Sequence, residues 1–239
     1  MTDSTAAPAD PDKASLWEDF IDIFHQPSAV FERRREGQFG LALLALIALS
    51  AILFFALQNG IGPIVDAEMA KQAAALAAKN PSMTTEQIAQ STSMMEKFAV
   101  FGIVIFIPIG IVITAVLLWL IGRLIEAKTA FAAAMMIATY AQFPRIVETV
   151  INAVQGLLLA PESITSRYSV SIGPARFLDS ETNPIMLTLV GGLDLFTVWV
   201  TVLLAIGLSV VARVPLNKAA IAAAAIWLLT LLPALYGAL

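Results

Sequence analysis

Five long apolar stretches divide this chain, and each is close to or beyond the length of a helix that crosses a lipid bilayer. They cover residues 39–57, 98–122, 130–159, 184–212 and 219–239. A hydrocarbon core of about 30 Å is crossed by about 20 helical residues. Backbone polar groups inside a membrane must bond to one another, so helices are the simplest structure for such stretches. The sequence therefore predicts an all-α integral membrane protein, a bundle of five transmembrane helices.

Composition supports the membrane class. Hydrophobic residues make up 59% of the 239 residues and charged residues only 13%, whereas soluble domains carry roughly 25% charged residues. The net charge of -4 argues against nucleic acid as a partner, because no basic face is present to meet phosphates. The chain has no cysteine and one histidine, His25, so neither disulfides nor a metal site is expected.

The chain divides into three predicted regions. Residues 1–14 are polar and rich in Ala and Pro, which is typical of a disordered tail. Residues 15–37 are expected to form an amphipathic cytoplasmic lead-in, and residues 38–239 the five-helix membrane domain. The first long apolar run begins only near residue 39, which argues against a cleavable signal peptide.

Orientation follows from the distribution of Lys and Arg in the connections, because cytoplasmic loops are enriched in these residues. One side of the five-span arrangement holds Lys13, Arg33, Arg34, Arg35, Arg123, Lys128, Arg213 and Lys218. The other side holds Lys71, Lys79, Lys97, Arg167 and Arg176. This excess predicts a cytoplasmic N-terminus and an external C-terminus, in the inner or plasma membrane if the protein is bacterial.

The lead-in carries the signature of an amphipathic helix. Ser15 and Glu18 form a capping-box pattern. The apolar face would hold Leu16, Trp17, Phe20, Ile21 and Phe24, and the opposite face Glu18, Asp19 and Asp22. An acidic face is repelled by anionic lipid, so we expect docking on the protein's own cytoplasmic face or on a partner. Lipid contact would come from the basic patch Arg33, Arg34 and Arg35. The alternative is a structural collar that orients the first span.

Two longer connections would lie outside. The first contains an Ala-rich helical stretch at 66–79, a break at Asn80-Pro81, and a second capping-box pattern of Thr84 with Gln87. The second connection, 161–183, is rich in Ser, Thr, Gly and Pro and is predicted to be a loop. Neither carries a motif that indicates activity.

Three ionisable residues fall inside the apolar stretches: Arg145, Glu148 and Asp194. A charge at membrane depth costs a few kcal/mol or more unless a partner or a cavity compensates it. Arg145 and Glu148 share a helical face, and Asp194 lies at a similar predicted depth in the next stretch. Uncharged residues that could support this polar cluster are Tyr140, Pro144 and Asn152, with Gln142, Gln155 and Thr197 as further candidates.

The polar cluster permits three interpretations. It could be a structural clasp that fixes helix register, a ligand or ion pathway, or a catalytic site. One arginine facing two carboxylates leaves a formal charge of -1, which a proton, a cation or another polar group would have to complete. The chain has no HExxH, no GxSxG and no Gly-rich phosphate loop. We therefore expect no enzyme activity and no cofactor.

Three strings resemble the Yip1 domain family, in particular its prokaryotic branch. The strongest is LDLFTVWVTVLLAIGLSVVARVPLNKA at 193–219. The others are FIDIFHQPSAVFERRRE at 20–36, similar to the family's cytoplasmic lead-in, and ATYAQFPRIVETVINAV at 138–154. The resemblance covers roughly residues 16–239.

The resemblance implies a compact five-helix membrane domain with a cytoplasmic N-terminus. Eukaryotic Yip1 relatives act in vesicle trafficking and associate with Rab GTPases and with one another. Their Asp-Leu-Tyr-Gly-Pro motif is absent here, so GTPase binding is not carried over. The leading functional hypothesis is a non-enzymatic membrane scaffold or interaction protein whose partners are the lipid bilayer and a second copy or another membrane protein. The alternative is a small transporter or transport subunit that uses Arg145, Glu148 and Asp194.

Overall fold

The computed structural model describes residues 15–178 and 183–237, which form ten α-helices and three short 3-10 helices. The α-helices are α1 Leu16–His25, α2 Pro27–Arg33, α3 Gly40–Ala56, α4 Gln58–Lys79, α5 Thr85–Leu124, α6 Phe131–Tyr140, α7 Pro144–Leu158, α8 Pro184–Gly191, α9 Leu195–Ala212 and α10 Leu216–Gly237. The 3-10 helices lie between α7 and α8, at Pro161–Ser163, Arg167–Val170 and Pro174–Phe177. The predicted disordered tail 1–14 and the last two residues of the fifth apolar stretch lie outside the described residues.

The all-helical prediction is confirmed, but the number of spans is not. By length and composition, three helices of the described chain could cross a membrane: Val104–Leu124 within α5, α9 and α10. A fourth is added if α3 and α4, which are bent by 91° at their junction, count as one broken span. Five crossings therefore remain a prediction.

The third apolar stretch is two helices and not one. α6 ends at Tyr140, a turn covers 141–143, and α7 begins with Pro144 at its first position. Proline suits the first turn of a helix, because the N–H it lacks would have no partner there. The fourth stretch is broken in the same way between Gly191 and Leu195. Each of these stretches is thus a pair of shorter helices, and the prediction that each pair crosses the membrane once stays a prediction.

The part of the first predicted connection that follows Thr84 forms one long helix with the second apolar stretch. α4 ends at the predicted break, with Asn80 as its C-cap. Thr84 and Gln87 then form the predicted capping box at the start of α5, with the backbone N–H of Gln87 donating to Thr84 Oγ1 at 3.2 Å. Because no break follows, the end of the predicted connection and the second apolar stretch form one helix of 40 residues.

α4 and α7 cross with their backbones in contact. A Cβ added at Gly60 would collide with the carbonyl oxygen of Ala153, and one added at Gly156 would collide with the carbonyl oxygen of Gly60. Small residues allow this approach, which is common between membrane helices. The crossing fixes α7, and with it the position of Arg145.

The N-terminal helices pack into the bundle. Ile23, Val30 and Phe31 are fully buried. The ring centroids of Phe20 and Phe143 lie 5.2 Å apart, and the rings meet edge to face. α1 and α2 therefore contribute to the hydrophobic core and contact the turn between α6 and α7.

A polar cavity beside a broken helix

The break between α8 and α9 leaves backbone groups without helical partners, and three parts of the chain bond to them. The carboxylate of Asp194 caps α9 by accepting from the N–H groups of Phe196 and Thr197 at 2.9 and 3.0 Å. The N–H of Leu195 donates to the carbonyl of Ile172 at 2.9 Å. The indole N–H of Trp227 in α10 donates to the carbonyl of Gly192 at 3.0 Å. Contacts from the loop, from α10 and from Asp194 itself thus replace helical bonds that the break removes.

The structure brings Arg145, Glu148 and Asp194 together. Arg145 Nη1 lies 2.6 Å from Glu148 Oε2 and 3.8 Å from Asp194 Oδ1. Arg145 Nη2 donates to Thr197 Oγ1 at 2.8 Å, and the Thr197 hydroxyl donates in turn to Asp194 Oδ2. One guanidinium therefore ties the start of α7 to the start of α9.

A cavity of about 490 Å³ lies beside these ion pairs. Its walls come from α7, α8, the start of α9, α10 and the loop that carries the 3-10 helices. They include the side chains of Asn152, Thr188 and Thr230 as well as the apolar surface of Leu231 and Ala234. The cluster predicted from sequence is thus one wall of a space large enough for a small molecule.

Comparison with known protein families identifies the family to which the chain belongs. A family model for the Yip1 domain matches residues 21–237, nearly the whole chain. The chain belongs to the Yip1 family. The resemblance seen in the sequence is thereby confirmed, and the protein is an integral multi-pass membrane protein of a family that is not catalytic. No curated protein and no solved structure matches the chain.

A second arginine, Arg167, lines the cavity of this Yip1 domain and was missed in the sequence. Its guanidinium donates to the Tyr168 hydroxyl at 2.9 Å and lies 4.9 Å from the centre of the Tyr168 ring. Its backbone N–H donates to Glu68 Oε1 in α4 at 2.8 Å. Although partial removal from water lowers the pKa of Arg167, the Tyr168 hydrogen bond and the charges of Glu68 and Glu148 raise it by more.

Arg167 adds a second positive charge to the cavity wall. With it, the cavity wall carries two arginines and two carboxylates and is formally neutral. No pattern in the sequence indicates this, because Arg167 lies in a loop and reaches the cavity only through the tertiary fold.

Two glycines let the loop of the Yip1 domain press onto the broken helix. A Cβ at Gly191 would collide with the ring of Tyr168. A Cβ at Gly173 would lie 2.9 Å from the Cα of Asp194. The close contacts place Arg167 and Tyr168 over the helix break.

The residues predicted to support the polar cluster lie in different parts of the structure. Asn152 lines the cavity, and within the described part of the chain its Oδ1 is buried without a hydrogen-bond partner, as is Ser171 Oγ in the same wall. Pro144 starts α7 and positions the following Arg145. Tyr140 is not in the cluster, because its hydroxyl donates to Asp19 Oδ2 at 3.2 Å. Among the described residues, no group of three or more His, Cys, Asp and Glu side chains could hold a metal ion.

A second cluster of ion pairs in the Yip1 domain lies between α1 and the end of α2. Asp19, predicted on the polar face, is fully buried, and its carboxylate accepts from Arg33 Nη2 at 2.9 Å and Arg34 Nε at 2.7 Å. Trp17 and Ile21, predicted on the packing face, are 70% and 61% exposed. The inward face of α1 thus includes an acid that finds two basic partners.

The basic patch is largely engaged with the protein. Arg33 also binds Asp22 Oδ2 at 2.6 Å, and Arg35 binds Glu32 Oε1 at 2.9 Å. Although burial lowers the pKa of Arg33, hydrogen bonds and charges from Asp22 and Asp19 raise it by more. The sequence assigned these arginines to lipid, whereas in the structure Arg33 and Arg34 hold α2 against α1.

Proposed function

We propose that this protein binds a small polar ligand in the cavity between α7 and α10 and acts, without catalysis, as a small transporter or transport subunit. The observation that carries the proposal is the 490 Å³ cavity at the ion-paired trio and the α8–α9 break. Secondary transporters characteristically place their sites where helices are interrupted. The volume falls within the usual range of ligand sites, about 300–1,000 Å³.

A structural clasp alone accounts for less of the geometry. It explains why Arg145 binds Glu148 and Thr197. It does not explain the open volume beside them, which is lined by polar side chains from α7, α8 and α10.

The proposal includes an orientation. We keep five crossings, with the stretches 130–159 and 184–212 each crossing as a broken pair of helices. The N-terminus then faces the cytoplasm, and the C-terminus and the loop that carries Arg167 face outside. The cavity would open toward that external loop.

The test is a variant that fills the cavity. Ala234 lines the cavity from α10, so Ala234→Trp should occlude it. Leu232 lies on the same helix, is 54% exposed and does not line the cavity, so Leu232→Trp is the matched control. Uptake into proteoliposomes is measured for a panel of acidic, basic, zwitterionic and neutral solutes. We expect uptake of at least one class, a loss of about tenfold or more in Ala234→Trp, and little change in Leu232→Trp.

The same panel is measured by thermal shift on the purified protein, so that binding and flux are read separately. Folded protein that neither binds nor moves any solute would reject the proposal. Equal uptake by the two tryptophan variants would show that the cavity is not the route.

A scaffold or interaction protein remains the second candidate because of one surface. Trp17 and Ile21 lie one turn apart on α1 and are exposed, whereas Asp19 and Ile23 of the same helix are fully buried. The chemistry of this pair suits a membrane-protein partner or a second copy. The Trp17→Ala/Ile21→Ala double variant should reduce crosslinked complexes in native membranes, whereas Ile52→Ala/Phe55→Ala, an exposed apolar pair on α3, should not. A monomeric protein that crosslinks to nothing contradicts this role.

A further inference from the structure

We infer that the cavity takes a zwitterionic ligand, one that carries an amine with N–H groups and an acidic group and has no net charge. The inference rests on the proposed function and names its ligand class. Two sources share this chemistry: a free amino acid and the ethanolamine-phosphate headgroup of a lipid.

The anionic half of the ligand is matched by Arg167. Among residues 15–178 and 183–237, no carboxylate oxygen lies within 4 Å of its guanidinium nitrogens, and the one hydrogen bond of the guanidinium is to the Tyr168 hydroxyl. Arg145, in contrast, already binds Glu148, Asp194 and Thr197. Guanidinium groups bind carboxylate and phosphate oxygens strongly, often through two parallel hydrogen bonds.

The cationic half is matched by one face of α7. Glu148 Oε2 accepts a hydrogen bond from Arg145. Within the described chain, Glu148 Oε1 accepts none. Asn152 follows four residues later on the same helical face and lines the same wall, so its amide oxygen is a second candidate acceptor. An ammonium group has three donors, which these two acceptors can use. Asp194 is already committed to the cap of α9 and to Thr197.

The balance of charge favours a ligand with both signs. A lone anion beside Arg167 would also meet Glu148, whose charge acts on Arg167. A lone cation beside Glu148 would meet two arginines. Because the wall is formally neutral, a ligand with net charge would leave an uncompensated charge in the cavity, which is unfavourable. A zwitterion leaves the site neutral and satisfies both ends.

The experiment compares whole zwitterions with their halves on the purified full-length protein. Alanine is compared with propanoate and ethylamine, and glycerophosphoethanolamine with glycerophosphoglycerol and ethanolamine, by calorimetry and thermal shift. We expect the dissociation constant of a zwitterion to be at least tenfold lower than that of either half. Arg167→Gln and Glu148→Gln should each raise it by at least tenfold.

Matched controls separate the site from general charge effects. Arg176 lies in the same loop, binds Gln155 and does not line the cavity, so Arg176→Gln should leave affinity within about twofold. Glu162→Gln, at an exposed loop position outside the cavity, is the acidic control. Circular dichroism and gel filtration verify that each variant is folded.

A second arm separates the two sources. The protein is placed in nanodiscs of phosphatidylethanolamine, phosphatidylcholine or phosphatidylglycerol, and retained lipid is identified by native mass spectrometry. Selective retention of phosphatidylethanolamine, lost in Arg167→Gln, would assign the lipid headgroup. Binding of alanine without selective lipid retention would assign the free solute. Phosphatidylcholine should not be selected, because its quaternary ammonium has no N–H to donate.

Failure of the zwitterion inference can be distinguished from failure of the proposed function. If a half-ligand of one sign binds as tightly as the zwitterion, or if Arg167→Gln leaves affinity unchanged, the zwitterion inference is overturned and the cavity remains a binding site. If folded protein binds no probe in either arm, both the inference and the proposed function are overturned.

Discussion

Asp19→Ala is expected to lower the free energy of unfolding by about 3–5 kcal/mol, the usual cost of removing one partner from a buried ion pair. The Asp19 side chain is fully buried and accepts hydrogen bonds from Arg33, Arg34 and Tyr140. Without it, two arginines at the edge of the core lose their shared counter-charge, and α1 loses its polar attachment to α6. The change is measured as a loss of thermal midpoint in detergent and by SDS titration.

Asp22→Ala is the matched control, since Asp22 lies three residues further along the same helix. Its side chain is 23% exposed, and its partner Arg33 keeps Asp19 when Asp22 is removed. The expected loss is therefore about 1 kcal/mol, the upper end of the range for an exposed pair. Equal losses in the two variants would mean that burial of Asp19 does not determine its contribution.

Gly60→Ala is expected to be comparably harmful, although it adds a single methyl group. Overpacking usually costs about 1–3 kcal/mol, and here the new Cβ would collide with a backbone carbonyl of Ala153, which cannot turn aside as a side chain could. We expect a loss of about 3 kcal/mol or more, measured by the same unfolding methods. α4 would have to separate from α7.

Gly62, two residues further along α4, provides the control. A Cβ at Gly62 meets nothing within 4 Å, so Gly62→Ala should gain up to about 1 kcal/mol from the higher helix propensity of alanine. Opposite signs for two Gly→Ala changes two residues apart would identify the crossing as the cause. Similar effects would show that α4 and α7 are not packed this closely.

Local signals in the sequence were sufficient for the local structure. Ser15 with Glu18 and Thr84 with Gln87 form the predicted capping boxes, because each depends on residues three positions apart. The membrane class and the family follow from composition and from strings of neighbouring residues. These features need no knowledge of what packs against them.

The helix breaks were signalled but interpreted as features inside single spans. Asp194 follows Gly191-Gly192 and precedes an apolar run, which is the pattern of an N-cap. The length and hydrophobicity of the stretch favoured a continuous helix, and only the contacts from Ile172 and Trp227 show how a break is satisfied there.

The charged contacts could not be assigned from periodicity. Helical spacing places Asp19 beside Asp22, but its burial depends on Arg33, Arg34 and the distant Tyr140. Arg167 reaches the cavity because glycines at 173 and 191 let its loop lie against the break. Both outcomes depend on tertiary contacts between segments far apart in the chain.

The hydrogen bond from Tyr140 to Asp19 joins residues 121 positions apart, and this separation sets an order of events during biosynthesis. At the usual rate of about 5–20 residues per second, roughly 6–24 s pass between the synthesis of the two residues. During that interval α1 is already made, while the residues of α6 that it packs against, including the donor Tyr140, do not yet exist. Phe20 and Phe31 can make their contacts with Phe143 and Gly207 only after those later residues have been synthesised.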